Sequence, residues 1–276
     1  MLIAVEYLGE VGIGVTAPHF FRADDGKVYV VKFKTNRLGP TVLVNEFIAA
    51  QLGNIIGLCF PLSDVILLTD SLISKTPQLI SIGVNAGQHF ASQYLTNTKH
   101  LDKNNLSLAI NIKELAGILL FDHMFHDLDH FANKNNFLLH REEVGWRIYV
   151  IDNSHLFKSG RWTLQVLDKL ANNKKIYYRH LFKVLLNDCL VPSDFVPYLE
   201  RVKGLSDIAI TAITDGIPAE WLTEEGEREA LAHHISLRRD IAEQLWHRLC
   251  RHIPLVHGGQ RSSAARIIRS TEKSKI

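Results

Sequence analysis

Residues 121–139 read FDHMFHDLDHFANKNNFLL, and Asp122, Asp127 and Asp129 lie there among His123, His126 and His130. A run this polar between apolar flanks needs an explanation beyond core packing. Upstream, Leu115, Ile118, Leu119, Phe121 and Phe125 recur at helical spacing, so residues 112–125 are expected to form a buried helix that stops where the polar run starts. Downstream, Asn136–His140 and Trp146–Ile151 read as two strands around the turn-like REEVG, and the second strand ends on Asp152. Asp129, Asn136 and Asp152 are therefore expected on a loop, at a strand start and just after a strand. Taken singly, Asp and Asn are ordinary turn and cap formers. Taken in order, they suit phosphoryl transfer. That reaction needs one carboxylate to orient or deprotonate the attacking hydroxyl, and an Asn and a second Asp to hold the divalent ion that neutralises nucleotide phosphates. The spacing alone does not decide, because Asn136 follows Asp129 by seven positions where the protein-kinase pattern HRDxxxxN places its Asn five after its Asp.

The front of the chain adds to this reading. VTAPHFF (15–21) and KVYVVKF (27–33) flank the turn-like RADDG and predict a hairpin carrying Lys32. A helix is expected next, with Asn45 as its cap, Phe47, Ile48, Leu52, Ile55 and Ile56 on its apolar side and Gly57 as its stop. Glu46 opens that helix fourteen residues after Lys32. A strand Lys can simply face solvent and a first-turn Glu can simply complement the helix dipole. Kinases, however, pair such a strand Lys with such a helix Glu to fix the ammonium that contacts the nucleotide phosphates. Gly9, Gly12 and Gly14 in YLGEVGIGVT precede the hairpin and permit close backbone approach to phosphates. Asp64–Leu68 reads as another strand, residues 69–106 as loop-rich, and residues 164–252 as mainly helical, with a lobe boundary expected near 95. The order of glycine loop, strand Lys, helix Glu, Asp, Asn and Asp carries the functional reading.

Composition bounds the alternatives. Of 276 residues, 46% are hydrophobic and 22% charged, the balance of a globular chain rather than a disordered or fibrous one. The last sixteen residues carry a net charge of +4 against +2 for the whole, so the body is faintly acidic and no extensive nucleic-acid surface is expected. Residues 261–276 are expected to be a solvated, disordered basic tail. Cys59, Cys189 and Cys250 are scattered, which suits a reducing cytoplasm. No apolar run reaches the ~18 residues of a membrane span, and the start MLIAVEYLGE lacks a basic segment before an apolar one, so neither insertion nor classical secretion is expected.

Across residues 8–160, the segments GEVGIGVTAPHFFRADDGKVYVVKF, VLVNEFIAAQLGNIIGLCFP, FDHMFHDLDHFANKNNFLL and YVIDNSHLF resemble the HipA-like kinases, in the compact bacterial form that lacks the N-terminal extension of HipA. Relatives of this type also separate the Asp and the metal Asn by seven, in a pattern of Asp-Arg-Thr, two residues, then Asn-x-Asn-Leu-Leu. The resemblance implies an α+β, two-lobed protein-kinase-like fold, with a β-rich N-terminal lobe over residues 1–95 and a helical lobe over 96–260. It implies ATP and Mg2+ as cofactors, phosphates bound by Gly12, Gly14 and Lys32 with Glu46 as its partner, Asp129 acting on the acceptor hydroxyl, and Asn136 and Asp152 holding magnesium. The acceptor is a protein or a small molecule, with protein Ser/Thr favoured. Two departures are visible: Asp127-Leu128-Asp129-His130 stands where relatives have Asn-x-Asp-Arg, and Asp152-Asn153-Ser154 where they have Asp-His-Gly. These keep open a pseudokinase that binds nucleotide without turnover. A metal-dependent phosphohydrolase using His123, His126, Asp127 and His130 is a further alternative.

Overall fold

The computed structural model describes residues 1–12, 14–102 and 104–254. Its first part comprises β1 (Leu2–Glu10), β2 (His19–Ala23), β3 (Val28–Lys32), α1 (Thr41–Ile56), β4 (Ser63–Leu68), α2 (Asp70–Ser74), α3 (Pro77–Ser81) and β5 (Gly87–Gln93). The five strands close into a barrel in the order β1-β2-β3-β5-β4, antiparallel throughout except where β1 runs parallel to β4. Closure removes exposed strand edges. In β2 and β3 alternate residues point inward, so Phe21 and Val31 fill the barrel core with Ile66, Leu68 and Ala91.

The hairpin and β4 fall where the sequence places them, but two strands of the barrel do not. β1 has no turn signals around it, and β5 (GQHFASQ) lies in the stretch that reads as loop. What holds β5 is backbone pairing on both sides together with polar groups satisfied inside the fold. Its buried His89 accepts from the Lys34 amide at 3.0 Å and donates to the Asn85 carbonyl at 3.0 Å, and burial pulls its pKa down to about 4, so the ring is neutral.

α1 also departs from expectation. It starts at Thr41 after Pro40, whose φ of −71° and ψ of −19° are already helical, so Asn45 lies inside the helix, fully buried, and caps nothing. The expected stop is observed: Gly57 adopts a left-handed φ of 78° and its N–H returns to the Gly53 carbonyl. α1 buries Leu43, Val44, Ile48 and Leu52 in the helical core rather than in that of the barrel.

The second part of the chain comprises β6 (Thr98–His100), α4 (Leu115–Phe125), α5 (Leu128–Ala132), β7 (Phe137–Glu142), β8 (Gly145–Val150), α6 (Leu164–Ala171), α7 (His180–Val184), α8 (Pro192–Lys203), α9 (Asp207–Asp215), α10 (Glu227–Asp240) and α11 (Ala242–Cys250), and all of these except β6 and α5 contribute buried residues to that larger core. β6, β7 and β8 form a small antiparallel sheet. Every residue of α4 is buried, as a helix apolar on all sides must be. It ends at His126, which is left-handed with φ 55°, and so delivers the chain into the polar run. The basic tail, 261–276, and the end of the expected helical lobe, 255–260, lie outside the described residues. Among the described residues no helix is long and apolar enough to cross a membrane.

Arg238 of α10 is completely buried and donates to the carbonyls of His123, Met124, Leu170, Ala171 and Asn173. One guanidinium thereby closes the C-terminal ends of α4 and α6, where helix dipoles favour a cation. Arg238→Met should cost about 3 kcal/mol or more, because several buried carbonyls lose their donor, with Arg238→Lys intermediate. Urea unfolding of the two variants checks this ordering.

Candidate active site

The barrel and the β6-β7-β8 sheet face each other across a cleft of about 470 Å³, within the usual range for a small-molecule site. Gly14, Thr16, Lys32 and Glu46 contribute to its wall on one side, and Asn136 and Asp152 on the other. Gly14 sits in the loop joining β1 to β2, with a φ of 112° that side chains rarely adopt. Gly12 belongs to the same loop, whereas Gly9 is part of β1 and pairs with Phe20.

Lys32 ends β3 on the face opposite Val31, turned towards the cleft and α1. Its Nζ pairs with the carboxylate of Glu46 on α1 and lies 2.7 Å from Oδ1 of Asp152. Glu46 also accepts from the Asn153 amide at 3.2 Å, so it joins the strand Lys to the backbone that follows Asp152. Burial works against a charged Lys32, but Asp152 and Glu46 outweigh it and hold the ammonium above its ordinary pKa. Burial likewise opposes ionisation of Asp152, while Lys32 and the Ser154 hydroxyl, 2.6 Å from Oδ1, hold it well below the usual carboxylate range. Asp152 has a left-handed φ of 65°.

The other half of the expected set gathers on the polar run. Asp127 caps α5 by accepting from the amides of Asp129 and His130. Asn136 donates through Nδ2 to Oδ2 of Asp129 at 2.7 Å and accepts from Asn133 at 3.2 Å. The Ile151 amide donates to the Asn136 carbonyl at 2.9 Å, which ties the run to the strand before Asp152. Lys32 thus touches both Glu46 and Asp152, and Asp129 touches Asn136. His155 and Ser154 link the two sets: His155 Nδ1 is 3.2 Å from the Ser154 hydroxyl and 3.9 Å from Asp129 Oδ2. The sequence reading missed this link, since a His and a Ser after Asp152 carry no spacing signal of their own.

The donor set suits a divalent ion. The hydrogen bonds to Asp152 fall on Oδ1, so its Oδ2 and the amide oxygen of Asn136 are hard oxygen donors of the kind magnesium takes. The four residues of the phosphohydrolase alternative do not converge. His123 is committed to the Leu119 carbonyl at 2.6 Å and the Tyr177 amide at 3.0 Å, whereas Asp127 and His130 gather with Asp122.

The sequence model of the HipA-like kinases matches residues 4–249. The chain belongs to the HipA-like kinase family. No match is found among curated proteins. Among solved structures, the Helicobacter pylori proinflammatory kinase CtkA superposes with a TM-score of 0.56 at 13% identity, covering 91% of this chain and 97% of CtkA. Weaker likenesses are to hydra Fam20 with sugar (TM-score 0.47, 11% identity, 91% and 86% coverage) and to the Golgi casein kinase with Mn/ADP bound (TM-score 0.43, 13% identity, 91% and 71% coverage). The fold of this HipA-like kinase is protein-kinase-like, a β-rich N-terminal part followed by a mainly helical one, and membership of the family implies ATP and a divalent metal.

In this HipA-like kinase His130, where the sequence resemblance leads one to expect an Arg, has a completely buried ring. Nε2 donates to the Ile151 carbonyl at 3.1 Å and Nδ1 lies 3.0 Å from Asp122 Oδ1. Burial disfavours the imidazolium, yet Asp127 and Asp122 outweigh it and raise the pKa to about 10. A pKa raised on folding contributes stability that is complete below the unfolded value near 6.5 and is lost as pH climbs to the folded value. The melting temperature should therefore fall between pH 6.5 and pH 10 more steeply in the wild type than in His130→Arg, whose charge is permanent. Parallel pH–melting profiles of the two proteins would count against a protonated His130.

Proposed function

We propose that this HipA-like kinase transfers the γ-phosphoryl group of Mg·ATP to a hydroxyl, with Ser or Thr of a protein as the acceptor. The observation that carries this reading is the buried contact of Lys32 with both Glu46 and Asp152 at the cleft wall. Residues 1–95 form the nucleotide lobe and 96–260 the helical lobe in this reading. Lys32, oriented by Glu46, binds the phosphates, and the loop of Gly12 and Gly14 covers them with its backbone. Asn136 and Asp152 hold the magnesium, which when bound neutralises charge on the transferring group.

Asp129 acts on the acceptor. Its contacts with Asn136 and His155 both fall on Oδ2, so Oδ1 is the oxygen that meets the incoming hydroxyl and takes up its proton. The Asn136 bond fixes the carboxylate through Nδ2, while its amide oxygen, which accepts from Asn133 at 3.2 Å, has a second lone pair for the metal.

ATP and magnesium together should raise the melting temperature more than either alone, since ligand at 100 times its dissociation constant adds about 2.7 kcal/mol. Asp152→Ala should abolish that joint shift. Asp129→Ala should keep it and lose transfer to a Ser/Thr peptide library roughly 100-fold or more. Absence of any joint shift in the wild type at saturating nucleotide would sink the reading, and equal loss of binding in both variants would refute the separate roles.

A further inference from the structure

The stretch that follows Asp152 is unusual backbone. Asp152, Phe157 and Lys158 have φ values of 65°, 59° and 82°, in the left-handed region that non-glycine residues avoid. Gly160, at φ 73°, comes so close to the start of the same loop that a Cβ there would lie 2.3 Å from the Ser154 carbonyl oxygen. Such a loop persists only where its surroundings over-determine it. Two of its amides are held from outside: Phe157 donates to the Phe125 carbonyl at 2.8 Å and Lys158 to that of His126 at 3.0 Å.

A further tether is one side chain of α1. Asn45, completely buried in α1, donates through Nδ2 to the carbonyls of Ser154 at 2.8 Å and Gly160 at 3.0 Å. Its Oδ1 accepts from Nε1 of Trp162 at 2.8 Å, so all three contacts of the carboxamide go to the loop. Trp162 also packs edge-on against Phe157, with ring centroids 6.0 Å apart. The next residue on α1 is Glu46, which holds Lys32 and the Asn153 amide.

We propose that Asn45 is a positioning residue for phosphoryl transfer: its carboxamide clasps the loop after Asp152 to α1 through neutral hydrogen bonds alone, so that Lys32, Glu46 and Asp152 keep register. The clasp is neutral at both ends. The three hydroxyls of the segment are already used within it. Ser154 donates to Asp152, Ser159 donates to the Arg161 carbonyl, and Thr163 caps α6 by accepting from the Val166 amide.

The proposal rests on the kinase reading, so its test has a limb that needs no turnover. Amide hydrogen exchange across residues 153–163, measured on the nucleotide-free chain, should rise at least roughly tenfold in Asn45→Leu and by less in Trp162→Phe, which removes only the indole N–H. Leu52→Ala, a core truncation in the same helix, should lower the melting temperature without singling out that segment. In turnover, Asn45→Leu should lose kcat roughly tenfold or more, and its requirement for magnesium should shift to higher concentration, neither of which Leu52→Ala should reproduce. If Asn45→Leu does not fold, Trp162→Phe carries both measurements. Unchanged exchange in the segment, or turnover that falls only in step with melting temperature, would overturn the proposal. A wild type that shows no joint response to ATP and magnesium would instead remove the kinase reading, while the exchange data still report whether the clasp exists.

Discussion

A buried ammonium has to be compensated, and at Lys32 the compensation comes from two carboxylates fourteen and 120 residues further along the chain. Removing the ammonium would leave the two carboxylates without their shared cation in a poorly solvated place, which is far costlier than losing a surface ion pair. The barrel supplies the Lys, α1 the Glu and the loop after β8 the Asp. Three separate pieces of structure are thus fixed relative to one another by a single nitrogen.

α1 can serve this triad because it is immobilised from the helical side. Phe47 packs edge-on against Trp221, whose indole donates to the Gln88 carbonyl of β5. Glu220, next to Trp221, pairs with Lys34 just after β3 and accepts from the Gln88 amide at 2.7 Å. The segment after α9 therefore grips the barrel and the helix together.

Sequence reading found the Lys32–Glu46 pairing and the position of Asp152 because strand pattern, helical period and residue chemistry are local or ordered signals, whereas the seven-residue interval from Asp129 to Asn136 made sense only through the family resemblance. It failed where the determinant was non-local. β5 is polar and becomes a strand because β3 and β4 pair with it on either side. Asn45 has the composition of a cap, and only the loop folded over it, 109 and more residues away, reveals a buried bolt. His155 had no pattern to belong to until Ser154 and Asp129 lay beside it.

The departures from the relatives' motif also look different once the contacts are known. Taken separately, His for Arg weakens a cation, and Asp for Asn adds a carboxylate beside Asp129. In the fold the two act on each other. Asp127 keeps the capping function an Asn would have, and its second oxygen lies 4.0 Å from the His130 ring. Burial pushes the Asp127 pKa up to about 6, with His130 pulling the other way, so near neutral pH the carboxylate is largely ionised and supports the imidazolium. His130 then presents a donor to the Ile151 carbonyl, one residue before Asp152, as a cation. The buried imidazolium therefore faces two carboxylates, Asp122 at 3.0 Å and Asp127 at 4.0 Å, and it is this pair that offsets the cost of taking its charge out of water.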